Sequence, residues 1–575
     1  DLYVKRNIVS TTTSTYTDYY YELPPEITKY ETVVVSNNNG AVENISMELP
    51  KAGEVKAEKT RTEYFDREKN EEIYFSKCAD QLLKDSAWGM ISARMGRKSN
   101  VNDVLETCRF RYKDEDESVI TLDTAEENSL SWDEAVENYK KCKARVSKIR
   151  NDIRKDQKIL ESMYELQEQL LCTKQKLLEY QEAFQKEKEI LENAGAKLKS
   201  NEDETRMLED EIAYIKAHAT IIEKVLMFFS LGTVGKRVKE KRAEICNLIL
   251  EHEEIVRNIN KQEVILRTEE EKLLAQKELV KETGDRARIL EEKVYGEEDS
   301  LKEKYGDNLA DRGFFADISH SEKSQNACPW TFAAYDEARE ALFYAALQVR
   351  KTFVLKMPYV RRNLFCYQKY AHGKFTSEER RAMFPHLLHA LMIVVPVVSS
   401  TFASVRTFLK DAGNQSIGYL IIDEAGQGTP QAALGSIYRA QNVIAVGDPL
   451  QIEPVVTIPP AVISILAEGT NVAVPYQKPE LSVQVMCDRV NEFNGKIGEN
   501  VVGCPLLVHR RCIEPMFSIS NRISYDNRMF NETEEKEQGY IIGQSGWINV
   551  EGEENNECCF RTNSKNRDCS CSSIR

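Results

Sequence analysis

No stretch of this 575-residue chain is apolar for long enough to cross a bilayer as a helix; the best runs, "VLMFFSLGTV" and "LMIVVPVV", are far too short. No basic-then-apolar leader precedes the first folded segment, so a cytoplasmic location is the default expectation. A disulfide framework is also missing. The fourteen cysteines are mostly scattered, as reduced thiols in a cytosol would be. A net charge of −15 excludes a generally basic nucleic-acid coat, although it leaves room for a local basic groove. The chain starts at Asp1 without a methionine and is expected to be a fragment. Between about Trp132 and Tyr305, glycine and proline almost vanish, which excludes a loop-rich domain there.

In that segment, charges of both signs alternate with regularly spaced apolar residues. Met163, Leu170, Leu177, Phe184, Leu191 and Leu198 recur every seven residues, the seam of a coiled coil. Leu166, Thr173 and Tyr180 accompany it, and Glu187 breaks it. Ile259, Leu266, Leu273 and Val280 keep the same period. The glycines of "SLGTVGKR" (230–237) lie between the two series and can reverse the chain. An antiparallel hairpin of two long helices is expected; the alternative is one long helix that dimerises with a second chain. The apolar tip "VLMFFSLGTV" (225–234) reads as a docking surface for a protein partner, or else the arm is a solvated spacer.

Outside the hairpin the pattern is globular, and 575 residues call for two or three domains. Residues 1–125 mix strand-like and helical patterns. "ETVVVS" (31–36) is a short β-branched run before the polar "NNNG" turn. Further on, "CPWTFAAYDEAREALFYAALQVRKTFVL" (328–355) reads as an amphipathic helix. "LMIVVPVVSS" (391–400), "GYLIID" (418–423) and "NVIAVGD" (442–448) are apolar runs ending in small or acidic residues. Runs buried on both faces and separated by helices imply a parallel sheet in an α/β fold. Ligands of such sheets sit beyond the carboxyl ends of the strands.

Asp423 closes one of these runs and Glu424 follows it. That pair suits magnesium-dependent phosphoryl transfer: the aspartate can hold hydrated Mg2+, and the glutamate can accept a proton from the attacking water. Alone, the pair also fits a solvated turn or a helix cap. One helix later comes "VGDPLQIEPV" (446–455), again at a strand end. Gly447 and Pro449 shape a tight turn there. Gln427 and Gln451 can each hydrogen-bond a water or a γ-phosphate.

"DEAGQ" and "GDPLQIEPV" resemble motifs II and III of superfamily 1 helicases, in the branch of the RNA helicase of nonsense-mediated decay and its bacterial relatives. "VVVSNNNGAVENI" (33–45) is similar to motif Ia, and "VVPVVSSTFAS" (394–404) to the strand and loop before motif II. "LLVHRRCIEPMFSISNRISYDNRM" (506–529) is similar to motif IV.

The resemblance implies RecA-like parallel-sheet P-loop NTPase domains interrupted by the coiled-coil insertion. The first motor domain would occupy 1–130 and 307–470, the hairpin 131–306, and the start of a second motor domain 471–575. It implies ATP and Mg2+ as cofactors and single-stranded DNA or RNA as partner, with movement 5′ to 3′ and no membrane. Asp423 would hold the metal through water, Glu424 would be the general base, and Gln451 would sense the γ-phosphate. Arg511 matches the motif IV arginine. His509 and Arg510 replace the usual Gln-Tyr, and Pro515 lies one residue late, so Arg510 is an alternative.

Ser36, Asn37, Asn38, Asn39, Ser399, Ser400 and Thr401 would contact the strand's phosphates and sugars without reading bases; plain turns are the other reading of such clusters. The Gly-Lys-Thr loop that the family uses to cradle phosphates has no match. "GTVGKR" (232–237) has Arg237 where Ser or Thr is needed and no strand before it. The chain is therefore expected to begin after that loop, to end before motifs V and VI, and not to hydrolyse ATP by itself. Cys558, Cys559, Cys569 and Cys571 near the end are poorly spaced for zinc, and a truncated or misread tail is the preferred reading. Two rival functions stay open: a scaffolding ATPase that works through the arm, and a pseudo-ATPase that only binds partners.

Overall fold

The computed structural model describes residues 5–10, 17–55, 62–218, 236–316, 318, 320–468, 470–473, 476–477, 481–498, 500–533, 552–554 and 560–562. The hairpin tip and the four tail cysteines lie outside the described residues. The chain divides into two units, 1–491 and 492–575. Residues 481–491, expected at the start of a second motor domain, therefore belong with the first unit.

The first unit opens with an antiparallel pair, β1 (Lys5–Ser10) and β2 (Thr17–Glu22). β3 (Thr32–Ser36) follows, a β-branched strand in which Val33 and Val35 are fully buried. The "NNNG" turn is also a helix start. Asn38 accepts a 2.8 Å hydrogen bond from the Gly40 N–H and so caps α1 (Asn39–Glu48). Next come α2 (Ser76–Leu83), β4 (Ser92–Arg94) and α3 (Lys98–Thr107).

Two long helices then form the hairpin, α4 (Trp132–His218) and α5 (Lys236–Tyr305). At 1.5 Å per residue α4 is about 130 Å long. Lys304 bonds Asp156, Lys174 bonds Glu291 at 2.8 Å, and His252 meets Glu209 at 3.1 Å. Numbers rise on one helix as they fall on the other, so the two run antiparallel within one chain. Met163 is buried, and Leu170, Leu177, Phe184, Leu191 and Leu198 are half-buried, whereas neighbours such as Leu171 and Leu178 are exposed. Glu187 does not leave the seam. It stays half-buried and pairs with the buried Glu269 of α5. At its base the arm is fixed by a cluster of Ile153, Leu160, Val294, Leu301 and Tyr305, with Trp330 and Phe332 stacked edge-on against Tyr305.

The helix expected over 328–355 starts only at Ala333: α6 (Ala333–Lys356), with Phe332 still extended. α7 (Pro358–Ala371) and α8 (Ser377–Val394) follow. The run 391–400 is half helix and half strand. Pro396 cannot donate to a helix and biases Val395 away from it, so α8 stops at Val394 and β5 (Val397–Thr401) begins. Then come α9 (Phe402–Phe408), β6 (Ile417–Asp423), α10 (Pro430–Arg439), β7 (Ala440–Ala445), α11 (Pro460–Glu468) and α12 (Val483–Val490).

Five strands form one parallel sheet in the order β4-β5-β3-β6-β7. The α/β fold class is therefore present. Burial on both faces holds for β3 but not throughout. In β6, Leu420 and Ile422 are fully buried while Tyr419 and Ile421 are half-buried. β7 is an edge strand, and Val443 and Ile444, on opposite faces, are both exposed. No described helix is long and apolar enough to cross a membrane.

The second unit contains an antiparallel pair, β8 (Gly495–Ile497) and β9 (Asn500–Val502). Its β10 (Val508–His509) pairs in parallel with β11 (Phe530–Asn531), and α13 (Met516–Ser524) lies between them in the chain.

Candidate functional site

Parallel strands place all their carboxyl ends on one edge, and register decides which residues meet there. Ser36 on β3 is level with Thr401 on β5 and with Asp423 on β6. Immediately beyond Asp423 the chain turns, with Glu424 in the left-handed region at φ 53°. For a residue with a Cβ that conformation costs roughly 1–2 kcal/mol, which the surrounding turn must offset. The turn Ala425–Gln427 does so through two bonds back to Glu424. The Gln427 backbone N–H donates to the Glu424 carbonyl at 2.9 Å, and its side-chain amide donates to Glu424 Oε2 at 3.0 Å.

The second loop lies against the first. Ala425 N–H donates to the Val446 carbonyl at 2.9 Å, and Val446 N–H to that of Ile422 at 2.8 Å. A Cβ on Gly426 would sit 2.7 Å from the Asp448 carbonyl oxygen. One on Gly447 would sit 2.7 Å from the nitrogens of Ala425 and Gly426. Only glycine permits two backbones to approach so closely. Asp448 takes the Leu450 N–H on Oδ1 at 2.8 Å and the Gln451 side-chain amide on Oδ2 at 2.9 Å. "DEAGQ" and "GDPLQ" thus form one double loop in which each glutamine is held by an acid of its own loop. A third loop joins them: the Asn37 side-chain amide donates to the Gln427 carbonyl at 3.3 Å.

The expected strand contacts separate into two groups. Asn37, Asn38 and Asn39 are exposed. Ser36, Ser399 and Ser400 are fully buried, and their hydroxyls are engaged internally. Ser36 Oγ accepts the Asn38 N–H, Ser399 Oγ shares a short bond with Ser46 Oγ on α1, and Ser400 Oγ donates to the Thr401 carbonyl. Thr401 is buried too, bonded to Ser404. The physical reason is position. β5 and β3 are interior strands; Ser399 ties β5 to α1, whereas Ser36, Ser400 and Thr401 bond within their own turns. Of the residues expected to contact a strand, Asn37, Asn38 and Asn39 are therefore the exposed ones.

In the second unit, Arg510 and Arg511 are both exposed, and neither is ion-paired among the described residues. His509 Nε2 accepts the Cys512 N–H at 2.7 Å, and its ring packs on Phe517. His509 therefore shapes the turn that displays both arginines, a role its sequence position did not signal.

Among the described residues no three His, Cys, Asp or Glu side chains converge on a metal. Magnesium does not need them, since one or two carboxylates plus substrate phosphates usually complete its shell. The hard oxygens of Asp423 and Glu424, half-buried at a strand end, fit that ion in kind. No protein-family model matches the chain, and no curated protein matches it.

Proposed function

We propose that the chain is part of an ATP-driven motor that moves along single-stranded DNA or RNA, built on RecA-like domains. The reading rests above all on the double loop: an Asp-Glu strand end and a Gly-Asp-Pro turn locked together by backbone contacts at Gly426 and Gly447. Asp423 would hold hydrated Mg2+, which neutralises charge on the phosphates when bound. Glu424 accepts a proton from the water whose oxygen attacks the γ-phosphorus, and the bond to the bridging oxygen breaks to release ADP and phosphate. Gln427 holds the Glu424 carboxylate in place. Gln451, held by Asp448, reports the state of the γ-phosphate to the loops on β3 and β5.

The test is nucleotide turnover by the full-length protein with and without single strands. Turnover should rise with added strand and fall about 10²–10⁴-fold in Glu424→Gln. Activity indifferent to Glu424→Gln overturns the catalytic assignment. The arm favours a second reading, an ATPase that acts as a coiled-coil scaffold, because it places an extended surface far from the sheet. Under that reading hydrolysis does not respond to strands. A cytoplasmic setting accompanies either reading.

A further inference from the structure

Two neighbouring cations of α6 take no part in the chemistry proposed above. Lys351 is fully buried. Its ammonium donates to the Glu72 carbonyl at 3.3 Å and to the Asn128 carbonyl at 3.5 Å, and it lies 3.8 Å from the Glu72 carboxylate, which is buried too. Asn128 stands just before α4, so Lys351 holds the root of the arm. α6 grips that root elsewhere as well. Trp132 lies against Phe353, Lys356 bonds Glu126 at 2.7 Å, and Arg145 meets Glu337 at 3.7 Å. Arg350 reaches the other way. Its Nε donates to the Ile393 carbonyl at 2.7 Å and its Nη2 to the Met392 carbonyl at 3.0 Å, while the Tyr74 hydroxyl lies 3.0 Å from the carbonyls of both Ile393 and Val394. A helix leaves its last carbonyls without partners of its own, so Arg350 and Tyr74 cap α8. The chain then enters β5 at once. There the Pro396 carbonyl accepts the Thr32 N–H at 3.3 Å, and the Val397 N–H donates to the Ile91 carbonyl at 3.1 Å.

We propose that α6 is the crank of a lever. Lys351 pins the arm to it and Arg350 ties it to the entry of β5, so a tilt of the arm is passed into the sheet. This goes beyond the motor reading and does not depend on it. The nature of the pin supports it. A buried ion pair adds little net stability over well-packed apolar residues, yet separating the partners leaves an uncompensated buried charge. Lys351 therefore resists any sliding of the arm's root along α6, which apolar contacts alone would tolerate. Arg350 is equally demanding, since its planar fork is aimed at two successive carbonyls. Neighbours on one helix cannot shift independently, because the bonds between turns hold them in a fixed frame. The arm supplies the leverage: with α4 about 130 Å long, a tilt of about 5° at the root carries the far end about 11 Å. A partner seated on the arm thereby acts on β5, far from its own contact.

The experiment is hydrogen exchange followed by mass spectrometry on the intact chain. The variant K351M/E72Q removes both buried charges and leaves an amide oxygen to accept the Ser76 N–H that Glu72 now takes at 2.8 Å. Exchange should rise roughly tenfold or more at the arm's root (126–140) and, through α6, at the end of α8 and the start of β5 (391–398), while β6 (417–423) keeps its protection. The converse variant R350K, which keeps the charge and loses the fork, should loosen the same two segments. K158Q, on the exposed surface of the arm, should change neither. A rise confined to 126–140 in K351M/E72Q, or to 391–398 in R350K, overturns the crank, as does no rise in either variant. If K351M/E72Q loosens β6 as well, R350K decides by the same two segments.

Discussion

The sheet and the arm are held together by different means, although both belong to the first unit. In the sheet, β3 makes its bonds with β5 and β6, which lie hundreds of residues away in the chain, and its valines are sealed from water. In the arm, two consecutive helices pack along each other, joined by pairs such as Lys174–Glu291 and His252–Glu209, and most seam residues stay half-exposed. A sheet of that kind can hold loops in fixed contact, as at Gly426 and Gly447. A two-helix arm has no interior deep enough for that, but it extends far with few residue types. Under the proposed function, the chemistry belongs to the sheet edge and the reach to the arm.

The contrast can be tested most strongly at paired leucines. Leu420→Ala in β6 should cost about 2–5 kcal/mol, the range for fully buried leucines; Leu177→Ala in the half-buried seam should cost about 1 kcal/mol. Native-state hydrogen exchange on the intact chain locates each loss. If Leu177→Ala loosens β6 as much as Leu420→Ala does, sheet and arm unfold as one and the distinction is lost.

A smaller effect sharpens the sheet side. Gly447→Ala pushes a methyl group into the backbone nitrogens of the Asp-Glu turn, an overpacking cost of about 1–3 kcal/mol. It should also reduce nucleotide turnover by the full-length protein while Glu424, Asp448 and Gln451 all remain. Unchanged turnover would mean that the contact between the two loops does no catalytic positioning.

The smallest expected effect lies in the arm. Its hydrogen bond to Glu269, then partial burial, holds the Glu187 carboxyl above the ordinary glutamate value. Lys272 first, then Glu187, holds that of Glu269 below it. Stability tied to the raised group is complete below the usual glutamate pKa of about 4.3 and is lost as pH rises through the elevated value. Stability tied to Glu269 runs the other way, present above that pKa and lost as pH falls through the lowered one. Glu187→Leu should therefore raise the arm's melting midpoint at neutral pH and abolish the loss on going up from acid. Thermal melts followed by helical circular dichroism test this; an unchanged pH profile would separate the two glutamates.

Several features could be read without coordinates because they depend on near neighbours in the chain. A seven-residue period defines the seam whatever else is folded. The glutamate that seemed to interrupt it sits in the seam all the same, because helix geometry, not polarity, decides which way position 187 faces. The strand ending in Asp423 was legible from its apolar run, and the double loop from two short motifs. The burial of the serines at the ends of β3 and β5 was not legible, since hydroxyls suit an exposed contact and an internal hydrogen bond equally well. Only the packing around each strand end distinguishes the two.

By itself, then, the sequence determined the arm, its reversal, the α/β class and the acids at a strand end, all consequences of local periodicity and of where polar residues interrupt apolar runs. Tertiary structure alone decided the order β4-β5-β3-β6-β7, and with it which loops touch and which hydroxyls are buried. Those outcomes depend on pairing between segments far apart in the chain, and no local pattern encodes which distant strand a given strand will meet.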